Sequence, residues 1–146
     1  MRAADMTPEE LARACAEAMW ENDDASRGMG MSLDDIGPGT ATVSMTVEKH
    51  HTNGHDICHG GFIFTLADSA FAFACNSYNN LVVAQHNSIT FIAPGKLGDR
   101  LTAVATEVVR FGRNGIYDAR VTDQDGTLIA EFRGNSRAIK GTHIPD

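Results

Sequence analysis

The stretch FIFTLADSAFAFACNSY, from Phe62 to Tyr78, is apolar on nearly every face rather than along one stripe, so as a helix it must be buried all round. The residues that follow it can supply the enclosure, because they read as strands: Leu81 to Ile92, Leu101 to Phe111, Gly115 to Asp123 and Thr127 to Ile139. Arg113-Asn114-Gly115 and Asp125-Gly126 offer hairpin turn chemistry between the last three. Upstream, Ala41, Val43, Met45 and Val47 alternate with Thr40, Thr42, Ser44, Thr46 and Glu48, the period of a half-buried strand. A shorter strand over Gly30 to Ile36 is expected to pair with it through Gly37-Pro38-Gly39. Thr7-Pro8-Glu9-Glu10 reads as a capped helix start, giving an N-terminal helix over about 7–21. The expected fold class is α+β: an antiparallel sheet of five or six strands wrapped around one central helix at about 60–77. With 146 residues, one domain spanning 1–146 is expected. A sheet large enough to enclose a helix leaves edge strands to pair, so self-association is expected too.

Composition removes several function classes. Twelve Lys and Arg against 19 Asp and Glu give a net charge of −7, a poor match for nucleic acid or an anionic membrane surface. No segment approaches the roughly 20 apolar residues of a membrane span, and the acidic N-terminus lacks the apolar stretch of a secretion signal. Cys15, Cys58 and Cys75 form neither a disulfide framework nor a Cys-x-x-Cys motif, which fits a reducing compartment, and the expected location is cytoplasmic. The charge is uneven: residues 1–95 carry 4 basic and 12 acidic groups, residues 96–146 carry 8 basic and 7 acidic. An anionic ligand is therefore expected against the C-terminal third.

Asp68 is the only carboxylate within the apolar helix, and a lone charge among apolar neighbours is costly unless paired or put to use. It either faces a crevice or acts as a general base or nucleophile. At the start of the same helix, His59-Gly60-Gly61 either permits a tight turn or exposes backbone N–H groups that can polarise a carbonyl. From Gly60 to Asp68 is about 12 Å of helix axis, too far for both to flank one carbonyl in one chain. A shared site would then lie between two antiparallel helices related by a two-fold axis. Asn53 is either the donor of an amide to such a site or the anchor of a turn with Gly54. His50, His51, His55 and His59 do not have convincing metal spacing, so no metal is expected, and Cys58 beside His59 is expected to be an ordinary thiol. Arg110, Phe111, Gly112, Arg113 and Asn114 form a basic loop, with Lys96 upstream, that can meet phosphates.

The run Asn53-Gly54-His55-x-x-Cys58-His59-Gly60-Gly61-x-x-x-x-Leu66-Ala67-Asp68-Ser69-Ala70-Phe71-Ala72 resembles the signature of hotdog-fold acyl-CoA thioesterases, more narrowly their phenylacetic acid degradation branch. The resemblance continues through Ala74-Cys75-Asn76-Ser77, Ile89-Thr90-Phe91, Pro94-Gly95, Gly115-x-Tyr117-Asp118 and Phe132-Arg133-Gly134. It implies hydrolysis of phenylacetyl-CoA or a ring-hydroxylated derivative, with the catalytic set Asp68, Gly60, Asn53 and His59. In that set Asp68 is base or nucleophile, the Gly60 amide polarises the thioester carbonyl with help from Asn53, and His59 orients the loop. It further implies dimers joined through a continuous sheet, usually paired into homotetramers, and coenzyme A as the leaving half of the substrate rather than a cofactor. Its phosphates are expected along Arg110 to Asn114 and Lys96. Some relatives place a water-orienting Ser or Thr on the strand after the helix, where this chain has Ala84, with His86 and Ser88 nearby. Phe62, Phe71, Tyr78 and Phe91 are the aromatic residues available to line an acyl pocket. Two other readings use the same features: a non-catalytic acyl-CoA-binding protein, and a hotdog-fold hydratase or dehydratase, although the Asp-x-Asn-Pro-x-His pattern of the latter is absent.

Overall fold

The computed structural model describes residues 1–146. Helix α1 spans Pro8–Glu21, and its start is closed as the sequence expects: the Thr7 hydroxyl accepts from the Glu10 N–H while the Glu10 carboxylate accepts from the Thr7 N–H. A short helix α2 (Asp24–Gly28), capped by Asp23, follows. Strands β1 (Ser32–Gly37) and β2 (Thr40–Thr46) then pair antiparallel across the Pro38-Gly39 turn, where Gly39 takes a positive φ of 71°. The long apolar segment forms α3 (Gly60–Cys75), and the remaining strands are β3 (Leu81–Phe91), β4 (Arg100–Phe111), β5 (Asn114–Thr122) and β6 (Leu128–Ile139). No helix is long and apolar enough to cross a membrane.

All six strands join one antiparallel sheet in the order β1-β2-β4-β5-β6-β3. The sheet curls around α3, which packs against strands from one edge to the other, so the expected helix-in-sheet hotdog arrangement is the one observed. Ile63, Leu66, Ala67, Ala70, Phe71, Phe73 and Ala74 of α3 are fully enclosed. They meet the inward residues Val43, Met45, Leu101, Ala103, Ala105, Tyr117, Ala119, Val121 and Phe132 in one continuous core. The many alanines on both sides let the helix and the strands approach closely.

Two details differ from the sequence expectation. The helix stops at Cys75 rather than Ser77, because the Asn76 carboxamide donates to the Ala72 carbonyl and the Ser77 hydroxyl to the Ala74 carbonyl, closing the last turn with side chains. The β4–β5 hairpin turns at Gly112-Arg113, not Arg113-Asn114-Gly115: Gly112 has the positive φ of 60° that a II′-type turn requires, and Asn114 already pairs with Phe111. Gly115 serves packing instead, since a Cβ there would lie 2.7 Å from Ser136 Oγ.

The two sheet edges differ in character. On β1 a register irregularity between Leu33 and Asp35 and the acidic pair Asp34-Asp35 blunt the edge. β3 has β6 on one side only, runs for 11 residues, and leaves Val83 and Phe91 about half exposed. A long, apolar, unpaired edge is a ready template for another strand.

Gly134 on β6 is the tightest point between sheet and helix: a Cβ there would stand 2.8 Å from three atoms of the Phe71 ring. That ring is held by Tyr117 and Phe132, with centroids 5.7 and 5.8 Å away, and has no room to yield. Gly134→Ala is expected to lower stability by about 1–3 kcal/mol through overpacking, read as a lower urea midpoint with an unchanged slope.

Candidate active site

The loop before α3 is fixed by a histidine that sequence reasoning grouped only with candidate metal ligands. His51 is fully buried; its Nδ1 accepts from the Glu48 N–H at 2.9 Å and its Nε2 donates to the Met29 carbonyl at 2.9 Å. Both ring nitrogens are thereby used in one neutral tautomer, and burial, the largest influence, holds the pKa below the usual imidazole value. The His51 carbonyl in turn accepts the His59 N–H at 2.8 Å, while Cys58 N–H reaches the Gly95 carbonyl at 2.7 Å. No three His, Cys, Asp or Glu side chains gather anywhere in the fold.

His59 is the N-cap of α3. Its Nδ1 accepts from the Gly61 N–H at 3.0 Å, which uses one of the free donors at the helix start. The Gly60 N–H has no partner and stands at the positive end of the helix dipole. A Cβ on Gly60 would meet the Phe91 ring at 3.0 Å, so the far edge of that ring lies close beside this glycine. Beside it Ile57, Cys58, Ile63, Phe91, Ala93 and Pro94 line an apolar cleft of about 400 Å3. An unpaired N–H opening into an apolar cleft is suited to polarise the carbonyl of an apolar acyl group.

Asn53 anchors the turn that the sequence allows for it. Its Oδ1 accepts from the N–H groups of His55 and Ile57, forming the turn, and its Nδ2 has no acceptor in the chain. The turn thus holds a free amide donor on the loop that delivers Gly60.

Asp68 lies two turns further along α3, half buried, with its carboxylate toward β3. Asn87 Nδ2 donates to Asp68 Oδ1 at 3.0 Å. Burial raises the Asp68 pKa above the usual carboxylate value, and the Asn87 hydrogen bond acts in the opposite direction. Cys58 and Cys75 are buried thiols whose pKa values are pushed up to about 11 and about 12, and neither is poised as a nucleophile.

Sequence reasoning missed Asn87 for a physical reason. Strict alternation along β3 would group Ala84, His86 and Ser88 on one face. The register of β3 on β6 slips between Ala84 and His86, so Gln85 is extra and the inward set changes from Val82 and Ala84 to Asn87, Ile89 and Phe91. The partners of those three are the inward Gly134, Phe132 and Ala130. Ser88 instead shares the outer face with Thr90, Asp118 and Arg133. The signal that could have found the slip is absent, because no Gly or Pro marks it.

The expected phosphate contacts do not gather in one protomer. Lys96 bridges to Ile57 at the Gly60 end of α3, whereas Arg110 to Asn114 turn at the Cys75 end beside Tyr78 and Asn80. Arg110 is already engaged: its guanidinium stacks 3.6 Å from the Tyr78 ring centroid and pairs with Glu107, which also accepts from the hydroxyls of Tyr78 and Tyr117. Arg113 has no ion-pair partner and lines a cleft with Asn80, Gly112 and Lys140. Of the four aromatics, Phe71 and Tyr78 belong to core and hairpin packing, Phe62 packs on His51 and His59, and Phe91 alone borders the cleft at Gly60.

Residues 55–130 match the Thioesterase superfamily. The chain is 43% identical over 127 residues to the acyl-coenzyme A thioesterase PaaI of Escherichia coli, spanning 87% of this chain and 91% of that one. The solved structure of the E. coli PaaI protein from the phenylacetic acid degradation operon superposes with a TM-score of 0.91 over 93% of this chain and 99% of that one, at 41% identity. A protein of Streptococcus mutans solved bound to acetyl-CoA superposes with a TM-score of 0.73 at 26% identity, over 77% of this chain and 90% of that one. With a matching segment that includes the amide-bearing helix start and its carboxylate, the chain belongs to the thioesterase superfamily.

Proposed function

We propose that this protein hydrolyses acyl-CoA thioesters, with phenylacetyl-CoA or a ring-hydroxylated relative as substrate, at sites shared between two protomers. The observation that carries the reading is the pairing of a free Gly60 N–H at an apolar cleft with a half-buried carboxylate facing an unpaired strand edge. α3 runs against β3 so that Gly60 lies by Phe91 and Asp68 by Asn87. Eight helical residues span about 12 Å and four strand residues about 13 Å, so the two spacings agree. If β3 pairs with its symmetry mate antiparallel about Ile89, Asn87 stands opposite the mate's Phe91, and Asp68 of one protomer arrives at Gly60 of the other. The same operation closes the exposed edge. Val104, Val109 and Phe111, more than two-fifths exposed on β4, supply apolar surface on which dimers can pair into tetramers.

The chemistry needs no metal or cofactor. Asp68 takes a proton from water as the water oxygen bonds to the thioester carbon. The carbonyl oxygen gains the electron pair and is held by the Gly60 N–H, with the Asn53 amide as second donor. Collapse breaks the carbon–sulfur bond, and the departing thiolate takes the proton back from Asp68. His59 keeps the turn in place by capping Gly61. The raised pKa makes Asp68 a stronger base than an exposed carboxylate while leaving it ionised at higher pH. Phe91 with Ile63 and Ile57 suits an aryl acyl group, and Arg113 with Lys96 offers positive charge to coenzyme A phosphates at either end of the site. Three unpaired, buried thiols fit a reducing cytoplasm.

Thiol release from phenylacetyl-CoA, followed with a chromogenic disulfide, is the direct test. Asp68→Asn is expected to fall at least ~100-fold in kcat; binding of acyl-CoA by the wild type without thiol release would overturn the reading. A carboxyl with a raised folded-state pKa stabilises the fold only while protonated, and that contribution is lost as pH rises through the folded pKa. Asp68→Asn should therefore melt higher than wild type at pH 7, with the difference shrinking toward pH 4.

Shared sites predict complementation. Gly60→Val, which blocks the amide through Phe91, and Asp68→Asn should each be inactive alone. After mixing and subunit exchange about a quarter of wild-type activity should return, since half the dimers are hybrid and each holds one intact site. No recovery despite demonstrated exchange would place both groups in sites within single chains.

A further inference from the structure

We propose that Asn87 is the residue that positions the Asp68 carboxylate to take a proton from water, an inference that rests on the hydrolytic reading and extends it by naming the group that holds the base. The Asn87 carboxamide lies opposite Gly134 on the inward face of β3, where its Nδ2 donates to Asp68 Oδ1 at 3.0 Å. An ionised carboxylate can only accept, so Nδ2 must be the atom facing Asp68, and Oδ1 is turned away from it. That Oδ1 is shut off from solvent and accepts no hydrogen bond, the one buried side-chain nitrogen or oxygen in the protein left without a partner. A buried polar atom held unpaired costs stability and persists where function uses it.

The unpaired oxygen is the consequence of committing Nδ2 to Asp68. Asp68 Oδ1 is held by that donor, while Asp68 Oδ2 receives no hydrogen bond and is free to take a proton. In the attack, a water proton passes to the carboxylate as the carbon–oxygen bond forms, and Asn87 keeps the carboxylate from turning away. Asn87 neither gains nor loses a proton. Neither neighbour can take this role, because His86 and Ser88 lie outside the inward set after the slip at Gln85, and Ala84, though inward, offers only a methyl group.

Asn87→Leu has nearly the same size and removes both donor and acceptor. In thiol release from phenylacetyl-CoA, kcat is expected to fall at least ~10-fold with KM within about twofold, as for loss of general-base alignment rather than of binding. The acid limb of the kcat/KM profile should move to higher pH, because the ionised Asp68 loses the hydrogen bond that favours it. A role in packing alone would lower the melting temperature without moving that limb. Asn87→Ala carries the same expectations in smaller measure should the Leu variant fail to fold. If the wild type releases thiol while a folded Asn87 variant keeps wild-type kcat and acid limb, or changes in KM only, the assignment of Asn87 is overturned and hydrolysis stands. If the wild type releases no thiol, the hydrolytic reading falls, and this one with it.

Discussion

Everything in this fold follows from burying α3. A helix apolar on all sides cannot lie on the surface of a sheet, because half its circumference would meet water; it needs a sheet that bends around it. Six strands suffice, and their inward positions are small where the helix comes closest: Ala41, Ala103, Ala105, Ala119 and Gly134. The cost of that solution falls on the last strand. β3 closes the wrap on one side with β6 and has nothing on the other, so the same burial that stabilises the protomer leaves its longest apolar edge open.

That edge is also where the polar groups of the site are found, for a related reason. Along α3 the deepest positions, Leu66, Ala67 and Ala70, are fully enclosed, and a carboxylate among them would have no route to water. Asp68 points toward β3, an edge strand whose outer side is free, and finds there a single hydrogen-bond donor. A carboxylate partly desolvated and singly bonded is kept basic without being neutralised by a cation, and no Lys or Arg contacts it.

The parts of this structure legible in the sequence are those set by local periodicity and local caps. The enclosed helix, the Thr7 capping box and the β1–β2 turn needed only neighbours in the chain. His59, Gly60 and Asp68 were visible because a glycine pair at a helix start and a lone charge in an apolar run are conspicuous. What escaped depends on the partner strand. Whether Asn87 or Ser88 faces the helix is decided by a one-residue slip of β3 on β6, and nothing in QHNS announces it. Likewise Asn114-Gly115 has the composition of a turn, yet Gly112 takes the turn because Gly115 is needed where Ser136 and Tyr117 crowd the strand. His51 was invisible as an organiser for a similar reason: beside its local partner Glu48, the group that buries and fixes its ring is the Met29 carbonyl, 22 residues away along the chain.

A two-fold arrangement also resolves an electrostatic difficulty that one protomer cannot. Asp68 sits near the middle of its own helix, where the dipole offers it nothing, and burial favours its protonated form. The favourable end of a helix dipole lies about 12 Å away at Gly60, too distant to act through its own chain. In the proposed dimer each carboxylate meets the positive end of the other helix, beside the very amide that polarises the substrate. Ionisation of the base and polarisation of the carbonyl then draw on the same helix terminus. Pairing the edges would close the sheet and charge the site in one step, so a lone protomer would lack a donor next to its base as well as a neighbour for its last strand.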